Sequence, residues 1–162
     1  HIDTFASKLV QNAYFHGFND FTLPLLRSRN KHLIIQLYFF LIFNKYKPIN
    51  LTILGSGGAF YCNNISYGSI RFNDDVFELG AADCLYSKIV FDGNAGDQSA
   101  MNSMNCDVFF YGNVGYRCGK FSKNTRFYSP HIKNLEKIKK ESGLGCSFYL
   151  IEEDGSHKGV RF

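Results

Sequence analysis

Cys146 and His157 are of the residue types that form a nucleophile and base. A thiol passes its proton to an imidazole and attacks a carbonyl carbon. Cys146 opens an apolar run, however, which favours a buried structural thiol, and Asp154-Gly155 ahead of His157 reads as an ordinary turn. The chain has five cysteines, with Cys62, Cys84, Cys106 and Cys118 as the others. The number is odd and no Cys-x-x-Cys pair occurs, so neither a structural zinc site nor a disulfide framework is expected. Reduced, buried thiols and an intracellular, reducing compartment (cytoplasm or organelle matrix) are the expectation. A second chemistry is anion binding: Lys133, Lys137, Lys139 and Lys140 gather on one predicted helix. They form either a solvated helix face or a phosphate-binding patch. The net charge of +4 is too mild to demand a nucleic-acid partner.

Two glycine-containing stretches carry a further signal. The first is NLTILGSGGAF, residues 50–60, a strand running into Ser/Gly-rich backbone. It lacks the Lys-Ser/Thr of a phosphate-binding P-loop and precedes no clear helix. The second is KIVFDGNAGDQSAMNSMNCDVFFYGNVGYRCGKF, residues 88–121. It has a buried strand ending at Asp92, a glycine turn, a short helix, and another strand ending in a glycine-rich loop. With the later RFYSPHIKNLEKI, this order resembles the metallo-β-lactamase superfamily, in its branch of tRNA 3′-processing endonucleases. The resemblance covers residues 50–162, with an insertion around 75–87.

That resemblance implies a metal loop of the form Thr-His-x-His-x-Asp-His. Here Gly112 and Val114 fall on the first two His positions, Tyr116 on the Asp and Arg117 on the last His. Gly and Val offer no donor atom, neutral Tyr is a poor ligand, and Arg stays protonated. Catalytic zinc needs about three protein ligands and an activated water. No metal or other cofactor is therefore expected, and the resemblance implies an inactive relative. Asp92 is the family-like position that remains; its expected role is to cap the 93–96 turn through backbone N–H groups. The stretch GLGCSFYLIEEDGSH also resembles the Gly-Cys motif of glutamine deamidase toxins, which would make Cys146 the nucleophile.

The elements that would position these residues divide into two segments. Residues 1–49 read as helical. Ile2, Phe5, Ala6, Leu9, Val10 and Ala13 recur at helical spacing, and Gly17 with Asn19-Asp20 ends that helix. A second helix is predicted over 23–44, beginning near Thr22 with Pro24 in its first turn. Its run 33–43 is about half of the ~20 residues that cross a bilayer, so a core or interface helix is expected rather than a membrane span. Residues 50–162 read as strands at 51–54, 69–72, 88–91, 107–111 and 125–128. A helix follows at 134–141, then a hairpin of 146–152 and 158–162 across Asp154-Gly155. The even spacing of Ile70, Ile89 and Val108 is compatible with a β-helix, but the intervening stretches show no matching period. The expected fold is therefore α/β (α+β): a helical N-terminal segment, then half of a metallo-β-lactamase-like sheet layer with flanking helices.

A half sandwich would expose the inner face of its sheet, and at ~25 cal/mol per Å² this forfeits on the order of tens of kcal/mol. The N-terminal helices, a second copy or another protein chain must then cover it. The expected function is an inactive scaffold or assembly subunit. The alternatives are half of a split metal-dependent hydrolase, a nucleic-acid-binding module, and a cysteine-dependent deamidase-like domain.

Overall fold

The computed structural model describes residues 2–24, 37, 38, 45–59 and 61–162. In chain order the elements are α1 (Ile2–Phe15), β1 (Asp20–Pro24), β2 (Leu37–Tyr38), β3 (Ile49–Leu54), β4 (Gly57–Ala59), β5 (Tyr61–Asn63), β6 (Gly68–Phe72), β7 (Val76–Glu78), β8 (Lys88–Phe91) and β9 (Ala95–Asp97). They continue with β10 (Asp107–Phe110), β11 (Arg126–Ser129), α2 (Ile132–Glu141), β12 (Ser147–Ile151) and β13 (His157–Val160).

Strands β6, β8 and β10 stack in parallel with Ser69 opposite Lys88 and Lys88 opposite Asp107. The chain thus returns to the same place every 19 residues, the separation that recurs in its inter-coil side-chain bonds. Each turn of 49–67, 68–86, 87–105 and 106–124 is one coil of a β-solenoid. The long strands form an eight-stranded sheet in the order β1-β3-β6-β8-β10-β11-β12-β13, and the short strands of the turns form a second sheet, β4-β7-β9. β2 and β5 pair separately. Neighbours in the large sheet are parallel except β13, which pairs antiparallel with β12.

Side chains alternate across the strands. Ile70, Ile89, Val108 and Phe127 point inward and are fully buried, as are Phe91 and Phe110 two residues further along. Stacking follows from the coil spacing of about 4.8 Å: the rings of Phe72, Phe91 and Phe110 sit face to face at 5.0 and 5.1 Å. The turns are built the same way in every coil. Residues with φ near +55° recur at Leu79, Gln98 and Arg117, at Ala81 and Ala100, at Asn64, Asp83, Asn102 and Phe121, and at Tyr67, Tyr86, Asn105 and Asn124. A left-handed L-residue costs about 1–2 kcal/mol. Bonds between coils hold many of these residues in place, such as Asp83 N to Met101 O at 2.9 Å and Asn102 N to Lys120 O at 2.8 Å.

The fifth coil departs from this plan. Ser129, at the position of the ladder phenylalanines, is buried and its Oγ accepts from His131 N and from Asn134 Nδ2, both at 3.1 Å. The chain then turns into α2, whose Leu135 and Ile138 close the end of the core. At the other end, Val10 and Tyr14 of α1 join the core cluster, and Tyr14 exchanges bonds with Lys47: Oη donates to Lys47 O at 2.6 Å, and Lys47 Nζ to Tyr14 O at 2.8 Å.

This architecture overturns the layered α/β expectation. The solenoid closes on itself, so the turns of the same chain cover the inner face of the sheet, and the need for an outside cover disappears. The helix expected over 23–44 fails where the chain is described: Thr22, Leu23 and Pro24 lie in β1, and Leu37–Tyr38 is a strand. The remainder of that stretch, 25–36 and 39–44, lies outside the described residues. β1 pairs with β3 through Asp20 and Asn50, so the 1–49 segment shares the main sheet. The helix at 2–15, the long strands from 49 on, α2 and the final hairpin lie close to their expected places, whereas β4, β5, β7 and β9 are not expected from the sequence, and β9 with its turns stands where a short helix is expected after Asp92. No helix among the described residues is long and apolar enough to cross a membrane.

A Cβ on Gly96 would overlap the backbone carbonyl of Phe77 in the coil before it. Gly96→Ala is expected to lower unfolding stability by about 3 kcal/mol or more. Gly155 has φ +81° with nothing near its Cβ position, so Gly155→Ala should cost about 1 kcal/mol; urea midpoints compare the two. The Ser99 hydroxyl is buried without a partner among the described residues. Ser99→Ala should therefore raise the urea midpoint, by about 1 kcal/mol of stability.

Candidate functional site

The residues that suggest a degenerate metal loop, Gly112, Val114, Tyr116 and Arg117, form the turn of the fourth coil. They repeat the turn of the third: Ala95 bridges to Val114, Asn113 N donates to Asn94 Oδ1 at 2.9 Å, and Tyr116 N donates to Asp97 Oδ1 at 2.7 Å. Gly112 is required because a Cβ there would overlap the carbonyl of Gly93. Val114 points into the core, and the Arg117 guanidinium lies 4.8 Å from the centre of the Tyr116 ring. Among the described residues no three His, Cys, Asp or Glu side chains gather as a metal site would require.

Asp92 does not cap the following turn. Its carboxylate accepts two bonds from Arg71, from Nε at 2.6 Å and Nη2 at 3.0 Å. The turn N–H of Asn94 goes instead to Asp75 Oδ1 at 2.7 Å.

Cys146 and His157 are not a pair. His157 lies opposite Ile151 on the final hairpin, five residues along β12 from Cys146, which is about 17 Å at ~3.4 Å per residue. The His157 ring instead packs 4.9 Å from the Tyr128 ring. The Cys146 thiol donates to Ser122 O at 3.3 Å. It occupies a slot at the start of β8, β10, β11 and β12. In that slot Ser87 Oγ donates to Ile65 O and Leu85 O, Cys106 Sγ to Cys84 O and Met104 O, and Thr125 Oγ1 to Ser103 O and Lys123 O. A small hydrogen-bonding side chain fills the slot in these four strands, and sulfur and oxygen serve alike. Burial pushes the Cys106 thiol up to about 11 and the Cys118 thiol up to about 12, and raises Cys146 in the same direction.

The four lysines of α2 part company. Lys139 sits 5.7 Å from the Phe148 ring, and Lys133 is exposed in the first turn of α2, outside the cleft lining. Lys137 and Lys140 line a cleft of about 340 Å³ with Val114, Tyr116, Arg117 and Ile138. The structure thus joins part of the lysine cluster to the loop of Tyr116 and Arg117.

A second surface lies on the outer face of the large sheet. Val90, Phe109, Tyr128 and Tyr149 occupy the same register position on β8, β10, β11 and β12. The last three rings stack at 4.3 and 4.9 Å, and Lys88 Nζ lies 5.1 Å from the Phe109 centroid. Burial by its neighbours raises the Tyr128 phenol. Arg126 grips both carboxylate oxygens of Asp107 beside this row, Nη2 reaching Oδ2 at 2.6 Å. The sequence carried one sign of the row, outward aromatics one coil apart, which only the 19-residue register makes legible.

Compared with known proteins, the chain is matched by no family model, by no curated protein and by no solved structure.

Iodoacetamide at pH 8 should alkylate Cys146, the half-buried thiol, first and leave Cys62, Cys84, Cys106 and Cys118 intact until urea unfolds the chain; peptide mapping reads the order. A thiol whose folded pKa lies above its ordinary value of 9.0 keeps its proton in the folded state while the unfolded state gives its own up. Stability is then fully present below about pH 9 and falls as pH rises toward 11. Thermal melts from pH 7 to 10.5 should show that fall. Cys106→Ser should weaken it, at a cost in neutral stability within about 1 kcal/mol, because Ser87 and Thr125 fill the same slot.

Proposed function

We propose that this chain is a binding scaffold: a rigid β-solenoid that packs a partner protein against the outer face of its large sheet. The observation that carries the reading is the row of Val90, Phe109, Tyr128 and Tyr149. The row is packed within the chain, with Val90 and Tyr128 buried, and offers the half-buried Phe109 and Tyr149 to a partner. Other coils carry Thr52 and Arg71 at the same position, and these serve the solenoid equally well. Aromatic rings with arginine at their rim are the composition of a protein–protein contact. Stacked rings are also held in place beforehand, which lowers the entropy lost on association.

The residues that raise catalytic alternatives support the same reading. Cys146 sits in a slot shared with serine and threonine, the Gly112–Arg117 loop repeats its neighbouring coil, and Asp92 serves an ion pair. Each is explained by the repeat, and none is left over to demand a reaction.

Native mass spectrometry of the gently isolated, affinity-tagged chain tests the proposal. A companion protein of fixed stoichiometry should be present with wild type. It should be lost with Phe109→Asp/Tyr149→Asp, a variant whose far-ultraviolet circular dichroism matches wild type. Equal recovery of the companion with both chains, or a wild-type chain recovered alone, defeats the reading.

A further inference from the structure

In the second and third coils, two turn N–H groups reach toward the following coil. Val76 N donates to Asn94 O and Leu79 N to Asp97 O, both at 2.9 Å; one coil on, Ala95 N donates to Asn113 O at 2.9 Å and Gln98 N to Tyr116 O at 2.8 Å. The equivalent residues of the fourth coil are Val114 and Arg117. There the chain enters α2 instead of laying down another short strand, and among the described residues neither N–H has an acceptor. The carbonyls of this edge fare differently. Asn134 Nδ2 donates to Gly112 O at 2.9 Å and Lys137 Nζ to Val114 O at 3.3 Å. The helix thus satisfies the acceptors of the edge and leaves its donors.

Those donors border the cleft between the fourth-coil turn and α2. Its cations are Arg117, Lys137 and Lys140, and its one acidic residue, Glu141, is held by Lys120 at 3.7 Å. The exposed Tyr116 ring and the methylene stems of Lys137 and Lys140 supply apolar wall, over Val114, Cys118 and Ile138, which are buried. A bare inorganic anion would use the charges and leave that wall unused. An extended backbone uses both, lying along the turn beside α2, which stands where the next coil's strand runs elsewhere in the molecule.

We propose that this cleft takes an extended, acidic segment of a partner protein by strand addition. Carbonyls three residues apart in that segment accept from Val114 N and Arg117 N, as the residues of the next coil do for Ala95 and Gln98. Its Glu or Asp side chains meet Arg117, Lys137 and Lys140, and its apolar side chains meet the exposed Tyr116 ring. The inference goes beyond the scaffold reading and shares no residue with the aromatic row, so either can fail while the other stands.

The test titrates a fluorescently labelled peptide of alternating Glu and Val into the full chain, with a Lys–Val peptide as control. The Glu–Val peptide is expected to bind at least about tenfold more tightly than the control, which corresponds to about 1.4 kcal/mol. In the charge-reversed variant Lys137→Glu/Lys140→Glu, which also gives up the Lys137 bond to Val114 O, the preference should reverse, with matching far-ultraviolet circular dichroism reporting an intact fold. Hydrogen exchange provides the second readout: the Val114 and Arg117 amides should slow about tenfold or more on saturation. Equal affinity for the two peptides, binding indifferent to the charge reversal, or exchange unchanged at both amides overturns the proposal. So does displacement of the peptide by millimolar inorganic phosphate, which would make the cleft a site for small anions.

Discussion

Parallel hydrogen bonds between successive coils hold every other feature of this molecule in place. They fix each residue over its counterpart 19 positions away, and so turn a local preference into a column. One inward phenylalanine becomes a stack of three. One asparagine in a turn becomes a chain in which Asp75 holds Asn94 and Asn94 holds Asn113. The same bonds restrain non-glycine residues in the left-handed region at equivalent turn positions. In isolation each such conformation would be unfavourable; its repetition marks it as a property of the coil rather than stored strain with a function.

The long strands from 49 on, the two helices and the final hairpin were legible in the sequence; β1, β2, the short turn strands and the assembly were not. Strands at 88–91 and 107–110 are apolar runs bounded by turn residues, and such runs are read directly. The helix at 132–141 and the hairpin across Asp154-Gly155 follow from equally local signals. The turn strands β7 and β9 are three residues long, and β9 has glycine at its centre, so neither propensity nor alternation announces them. The period was hidden because the coil asks for size and backbone geometry rather than identity. Ser87, Cys106, Thr125 and Cys146 serve one slot; Gly80, Ser99 and Cys118 serve another. Gly-Asn at 93–94 and 112–113 looks like two unrelated loops until the register places one over the other.

Two local signals misled for physical reasons. Pro24 suits the first turn of a helix, but it equally suits the last residue of β1, which among the described residues pairs only with β3 and whose other side needs no proline N–H. Asp92 ends a strand before a glycine turn, a position from which a carboxylate often holds turn N–H groups. Arg71, brought alongside by the coil, offers two charged donors instead of neutral ones, and the carboxylate takes the stronger pairing.

The reversal of direction at β13 has a consequence for how far the stack can grow. A parallel solenoid that ended on a bare coil would offer each new molecule the template it had just used itself, and identical chains could add end to end like a fibril. β13 lies antiparallel on β12, so the row it presents runs the wrong way for another coil of the same kind. Its His157, Lys158 and neighbouring Arg161 add basic side chains to that border. A single change of strand direction thus ends the self-similarity of the coils at this border.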